Sequence, residues 1–168
     1  MKHVSTLLLS GILFAAILPS AYAADTVSAA DRTFVAKVSQ GGMFEVKLGE
    51  LAADQGNLQD IKDQGTTEAH DHGLVGASLK SIASDAGITF PDTLNPPFQK
   101  QLDGLKAMSG PSFDKAYLHA MEVIHMKDGA AFATEAASGS NPKLRAFAHE
   151  THRIVERHLG ELHGVGPE

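Results

Sequence analysis

The chain has 168 residues, a formal net charge of −6 with histidine counted as neutral, and no cysteine. The acidic balance argues against nucleic acid or anionic lipid as a main partner, and the lack of cysteine excludes disulfides, thiol nucleophiles and cysteine-ligated clusters. The length suits one domain with one hydrophobic core, and the nine histidines, eight of which follow residue 23, are the compositional feature that needs an explanation.

Residues 1–23 have the pattern of a secretory signal peptide. A short polar start precedes the apolar residues 7–18, and Ala21 and Ala23 form a small-x-small cleavage site. The apolar stretch of about 12 residues is shorter than the roughly 20 that a membrane-spanning helix needs. We therefore expect cleavage before Ala24 and a periplasmic or secreted product with no integral membrane segment after signal removal. The mature chain is predicted to form one domain over residues 24–168, with a core over about 31–163.

Helical periodicity dominates the rest of the sequence, because apolar residues recur at spacings of three and four. Gly56 and Gly139 are typical of helix ends, whereas Asn141 followed by Pro142 is typical of a helix start. The proline-rich residues 87–97 break the periodicity and predict a connection. The predicted helices span about 31–54, 58–86, 98–108, 109–138 and 142–162. Four long helices in two hairpins, with a short extra helix in the connection between them, predict an all-α antiparallel four-helix bundle.

Side chains that can bind metals interrupt the apolar face of every long helix. Glu45 lies on the first helix, Glu68 and His72 share a face of the second, and His125 and His158 lie on the last two. The rise of about 1.5 Å per residue places all five in the middle stretch of the bundle. A buried carboxylate needs a partner, and besides a ligand-binding site the pattern is consistent with two structures. The first is a site for iron, zinc, manganese or copper, and the second is a hydrogen-bonded polar layer that fixes the helix register.

Glu122 completes the set of candidate metal ligands, because it precedes His125 by three residues. Glu-x-x-His is the spacing by which one helix presents a carboxylate and an imidazole to a di-iron centre. An oxidising di-iron centre would need more inward carboxylates than these helices supply. His149 and His152 share a different face of the last helix, which we predict to be solvated. The candidate metal ligands are Glu45, Glu68, His72, Glu122, His125 and His158, and no catalytic residue is predicted.

Four segments of the sequence form a distinctive set: residues 40–46 (QGGMFEV), Asp71 with His72, the pattern SGxxFDxxY over residues 109–117, and His158 with Leu159. Together they resemble one bacterial family, domain of unknown function 4142, whose members are often labelled outer-membrane proteins. The resemblance extends over about residues 31–162 and implies a ferritin-like helical bundle behind a signal peptide. The sequence departs from the family pattern at Ile124, where the family usually has Asp, and at Gly65 and Glu68, where it has larger apolar residues.

The resemblance also implies that Glu45, His72, His125 and His158 occupy the characteristic polar positions of the family. The family has no established activity to carry over. We therefore expect an exported, metal-binding or stress-related protein rather than an enzyme, with a transition-metal ion as its partner. Two alternatives stay open: a non-catalytic helical interaction module with a buried polar layer, and a small metal-dependent oxidase that uses Glu45, Glu122 and the histidines.

Overall fold

The computed structural model describes residues 26–165, so the predicted signal peptide and its cleavage site lie outside the described residues. Within this range the chain forms five α-helices and no β-strand. None of the helices in the described range combines the length and the hydropathy that crossing a bilayer requires. The helices are α1 (Ala29–Gln55), α2 (Gln59–Asp85), α3 (Pro96–Lys106), α4 (Gly110–Ser138) and α5 (Pro142–Leu162).

Polar side chains fix the starts of three helices. Ser28 and Asp31 form a capping box at α1, in which the Ser28 hydroxyl accepts from the Asp31 backbone N–H and the Asp31 carboxylate accepts from that of Ser28. Asn95 caps α3 by accepting from the Phe98 backbone N–H. Asn141 caps α5 in the same way. These caps satisfy N–H groups that have no partner inside the helix.

Helices α1 and α2 form one hairpin, and α4 and α5 form another. The hairpins pack with α1 along α4 and α2 along α5. Phe34 meets Phe132 while Glu45 meets His125, so α1 and α4 run in opposite directions. It follows that α2 and α4 run in the same direction, and the connection between them must travel the length of the bundle.

Two glutamines of α1 hold this connection in place. The Gln40 side chain donates to the Thr93 carbonyl oxygen at 3.0 Å and accepts from the Asn95 backbone N–H at 2.7 Å. The Gln55 side chain donates to the Met108 carbonyl oxygen at 3.2 Å. These hydrogen bonds contact the chain on either side of α3, and α3 itself packs against α1 and α4.

The core consists of two apolar clusters with a polar layer between them. One cluster gathers around Phe34, Leu79 and Phe132, and the other around Leu48 and Tyr117. On α2, α4 and α5, the segments that feed the two clusters flank the buried residues Glu68, His72, His125 and His158, and on α1 Glu45 lies between Val38 of the first cluster and Leu48 of the second. The polar layer is therefore shielded from water at both ends, which strengthens the electrostatic interactions inside it.

Candidate metal site

The polar layer brings together five of the six residues that the sequence indicated. Glu45 and His72 are 2% exposed, and Glu68, His125 and His158 are fully buried. The buried residues converge from α1, α2, α4 and α5, so the site exists only in the folded bundle.

Glu122 is not brought to this site. Its side chain is 44% exposed, and its carboxylate lies 3.6 Å from His163 Nε2 at the end of α5. The inward face of α4 passes through Met121, Ile124 and Asp128, which leaves Glu122 at its edge. His149 is also away from the site, exposed beside Glu150, and His152 lies next to Glu156.

Four donor atoms converge at the centre of the polar layer, and we call their residues (Glu68, His72, His125 and His158) the His–Glu cluster. His72 Nε2, His125 Nε2 and His158 Nδ1 lie 3.3 Å from one another. Glu68 Oε2 lies 3.2, 3.3 and 3.0 Å from these three nitrogens, respectively.

These six nearly equal distances describe a regular tetrahedron. The centre of a tetrahedron with such edges lies about 2.0 Å from each corner, which is the usual length of Zn–N and Zn–O bonds. A square-planar arrangement is excluded, because two of its six distances would be longer than the others by a factor of about 1.4. The cluster could therefore hold a four-coordinate metal ion without rearrangement.

The outward nitrogen of each histidine contacts a group that can only accept a hydrogen bond. His72 Nδ1 lies 3.1 Å from Glu45 Oε2, and His125 Nδ1 lies 2.9 Å from the Met121 carbonyl oxygen. His158 Nε2 lies 3.1 Å from Asp71 Oδ2. These acceptors place a proton on each outward nitrogen, so that a neutral imidazole directs its lone pair at the centre of the cluster.

The groups that contact the His–Glu cluster from outside form an outer layer, and two further side chains belong to it. Gln64 donates to Glu68 Oε1 at 2.9 Å, which leaves Oε2 to face the histidines. Arg157 contacts Asp71 and also lies 3.1 Å from His158 Nε2. We assign the Nε2 proton to the contact with Asp71, because a carboxylate is a strong, charge-assisted acceptor. Partners of this kind orient metal-binding histidines and carboxylates in metalloproteins.

The electrostatics of the cluster favour positive charge at its centre. Burial by itself raises the pKa of Glu68, but hydrogen bonds with His125, His158 and His72 outweigh it and hold that pKa well below its usual range. Burial by itself lowers the pKa of His125, but the hydrogen bond to Glu68 and the charges of Glu45 and Glu68 raise it to about 9. The pKa of His158 is raised as well, against the effect of its burial, chiefly by Glu68. In the metal-free protein, protons supply the positive charge that a metal cation would otherwise bring.

Sequence reasoning missed the outer layer around Glu68 and His158. Gln64 lies four residues before Glu68 on α2, so the helical spacing could have indicated it. Asp71 precedes His72 in the sequence, and its role depends on where α5 lies. The carbonyl oxygen of Met121 has no side-chain signature in a sequence.

The fold and the site together define an all-helical bundle protein with a buried histidine–glutamate group that could hold a metal ion. A sequence model of the family described as "Domain of unknown function (DUF4142)" matches residues 17–165, and the chain belongs to this family. The resemblance seen in the sequence is thereby confirmed.

One solved structure is similar in fold, the crystal structure of a DUF305 fragment from Deinococcus radiodurans. The TM-score is 0.72 at 10% sequence identity, and the alignment covers 82% of this chain and 95% of that chain. At this identity the likeness supports the helical-bundle fold alone. No curated protein matches the sequence.

Proposed function

We propose that this protein binds a single transition-metal ion in the His–Glu cluster, with Zn²⁺ as the preferred ion. One observation carries the proposal: three imidazole nitrogens and one carboxylate oxygen converge at 3.0–3.3 Å from one another, while the outward nitrogens face acceptors. Neutral histidines in this arrangement would direct three lone pairs and a negative oxygen at one point. A cation at that point relieves the repulsion.

The geometry and the ligand types favour zinc over the other candidates. Zn²⁺ accepts imidazole and carboxylate ligands in a tetrahedron. Cu²⁺ prefers a tetragonal arrangement, and Mn²⁺ prefers an octahedron rich in oxygen. A di-iron oxidase is disfavoured, because such centres use several carboxylates and Glu122 lies apart from the cluster.

Four protein ligands around one metal ion are more typical of a site that holds the metal than of a catalytic site. Structural zinc sites are closed by four protein ligands, whereas catalytic zinc sites keep one position for water or substrate. We therefore favour a metal-holding role over an enzymatic one. Such a role after export, including the buffering of metal under stress, accords with the signal-peptide pattern of residues 1–23.

We also infer that the bundle is the ferritin-like, antiparallel four-helix type. Two hairpins of long helices, joined by one connection that runs the length of the bundle, are the topology of that class. The short α3 lies within this connection. Metal sites in bundles of this type are built from side chains on facing helices, as in the His–Glu cluster.

Titration of the metal-free protein with Zn²⁺, Fe²⁺, Mn²⁺ and Cu²⁺, followed by thermal unfolding, tests the proposal. We expect one Zn²⁺ per chain and a stabilisation of about 2.7 kcal/mol at a hundredfold excess over Kd. His72→Ala should abolish this stabilisation, and His149→Ala, at an exposed position, should preserve it. If His72→Ala destabilises the protein equally with and without metal, the cluster is a structural hydrogen-bond network instead.

A further inference from the structure

Two buried carboxyl groups meet where α1 begins and α4 ends. Asp31 is fully buried in the first turn of α1, and Glu135, which is 4% exposed, lies in the last turn of α4. One turn further into the bundle, Phe34 and Phe132 hold the same two helices together, with ring centroids 5.5 Å apart. The side chains of Asp31 and Glu135 are hydrogen-bonded to each other. A hydrogen bond between two carboxyl groups requires a proton on one of them.

Asp31 is the member of this pair that stays ionised. Its Oδ1 accepts from the Ser140 backbone N–H at 2.9 Å, and its Oδ2 accepts from the Ser28 backbone N–H at 2.8 Å. Burial by itself raises the pKa of Asp31, but these two hydrogen bonds and the one with Glu135 hold that pKa below its usual value. Through the bond with Ser140, Asp31 also joins the start of α1 to the turn between α4 and α5.

Glu135 is the member that carries the proton. Its Oε1 is buried and receives no hydrogen bond from any residue in the range 26–165 that the structure describes. This oxygen lies over the end of its own helix, where a Cβ atom at Gly139 would collide with it. A buried charged oxygen without a donor is costly, so the site favours a neutral carboxyl group. Burial, together with the charge and the hydrogen bond of Asp31, raises the pKa of Glu135 to about 7.

Within the described residues, no basic side chain forms an ion pair with either carboxyl group. Arg32 and Lys37 on α1 donate to backbone carbonyl oxygens, and Lys143 on α5 pairs with Asp85 on α2. Lys37 lines the groove between α1 and α4 beside Glu135, but it makes no contact that would neutralise the pair. When Glu135 loses its proton, the hydrogen bond is lost and two negative charges face each other in a buried place.

We propose that Asp31 and Glu135 form a pH-sensitive clasp, which holds the start of α1 against the α4–α5 turn while Glu135 is protonated and releases both when that proton passes to solvent. The closed clasp binds the proton of Glu135 more tightly than the open one. Closure is therefore favoured at low pH and loses this advantage as the pH rises from the ordinary Glu pKa of 4.5 to about 7. Neither residue belongs to the His–Glu cluster, so the clasp goes beyond the proposed metal function and does not require the metal.

Hydrogen exchange at the Ser140 backbone N–H, which donates to Asp31, reports whether the clasp is closed. It is measured by NMR on the whole exported protein, with a chelator present so that the metal content stays constant. After correction for the intrinsic pH dependence of exchange, we expect the protection factor to fall at least about tenfold between pH 5 and pH 8 and then to level off. The Phe98 backbone N–H is the internal reference, because it donates to the uncharged side chain of Asn95 and should show no such fall.

Glu135→Gln keeps a donor for Asp31 but cannot titrate, so the protection of Ser140 should become nearly independent of pH. Glu50→Gln makes the same change at an exposed position of α1 and should behave like the wild type. Equal pH dependence in the wild type and Glu135→Gln, or protection of Ser140 that follows that of Phe98 at every pH, overturns the inference. Should Glu135→Gln not fold, carboxyl NMR of the wild type decides: a Glu135 midpoint near 7 supports the clasp, and one below about 5 overturns it.

Discussion

Asp71 shows how a residue outside the metal-binding set can control it. Its carboxylate accepts from His158 Nε2 at 3.1 Å and also contacts Arg157, so it fixes the ring whose other nitrogen faces the cluster. It lies on the rim of the site, with 23% of its side chain exposed. The solvent-facing edge of the site is therefore held by an ion pair.

Removing Asp71 should weaken zinc binding without removing a ligand. Asp71→Ala leaves the His158 ring without its acceptor, and loss of such an outer partner lowers metal affinity by about 10- to 100-fold. Competition with a chelator of known affinity measures the change. Asp63→Ala is the matched control, because Asp63 is an exposed residue of the same helix, and among the described residues its carboxylate accepts a hydrogen bond from Gln59 alone. Equal affinities of the two variants would contradict the assignment.

Helical periodicity in the sequence predicts that five candidate metal ligands point inward, but it does not predict which residues form hydrogen bonds with them. Each of the five inward residues continues the apolar stripe of its helix, so the 3.6-residue repeat places its side chain inside the bundle. These residues are Glu45, Glu68, His72, His125 and His158. Asp71 does not lie on the stripe of α2, and only the position of α5 makes it a partner of His158. Glu122 entered the candidate set through its local spacing to His125, but its carboxylate contacts His163.

At the scale of the elements, the predicted helices match the observed ones to within a few residues. α3 starts at Pro96 and not at about residue 98, because Asn95 caps it and proline fits the first turn of a helix. α1 starts at Ala29, since the capping box of Ser28 and Asp31 extends it by two residues. The path of the connection between α2 and α4 could not be predicted from the sequence, because it depends on hydrogen bonds from the Gln40 and Gln55 side chains to backbone carbonyl oxygens of that connection.

Helices α1 and α2 cross closely at Gly49 and Gly65, and this contact can be tested. A Cβ atom at Gly65 would lie 2.6 Å from the Gly49 carbonyl oxygen and 2.7 Å from Ala52 Cβ. Gly65→Ala should therefore push the helices apart at a cost of about 1–3 kcal/mol, which exceeds the gain of up to about 1 kcal/mol in helix propensity. Thermal unfolding of the metal-free protein measures the result.

Gly104→Ala serves as the control for this contact, because a Cβ atom there meets no described atom within 4 Å. Gly104→Ala should stabilise the protein slightly or leave its stability unchanged, as expected when alanine replaces glycine at an exposed position of a helix. If Gly65→Ala proved as stable as Gly104→Ala, the close approach of α1 and α2 would not limit the packing.

At the scale of the whole molecule, buried charge should make stability depend on pH. The pKa of His125 is raised to about 9, so its stabilising contribution is present below its ordinary value of 6.5 and is lost as the pH rises through 9. Burial and the charge of Glu45 raise the pKa of Asp128 to about 8, although Lys37 and the histidines partly oppose this. For a carboxyl group with a raised pKa, stabilisation is likewise lost as the pH rises through that value.

The metal-free protein should therefore lose stability between pH 6.5 and 9, whereas zinc binding should strengthen over the same range, since fewer protons must be displaced. We expect the difference in Tm between the zinc-loaded and metal-free protein to widen steadily across this range. Calorimetry at fixed total zinc and at several pH values measures this. A difference that is constant or that narrows with rising pH would mean that zinc does not replace protons in the cluster.

Both apolar clusters and the polar layer belong to one bundle, and the ligands come from three of its four long helices. The central claim is that these helices hold one zinc ion among three imidazoles and one carboxylate. X-ray absorption at the zinc edge of the loaded protein tests it most directly. The result expected is four nitrogen or oxygen ligands at about 2.0–2.1 Å with the scattering signature of three imidazoles, reduced to two in His158→Ala. Six-coordinate zinc without imidazole, or a second metal at about 3.5–4 Å, would contradict the claim.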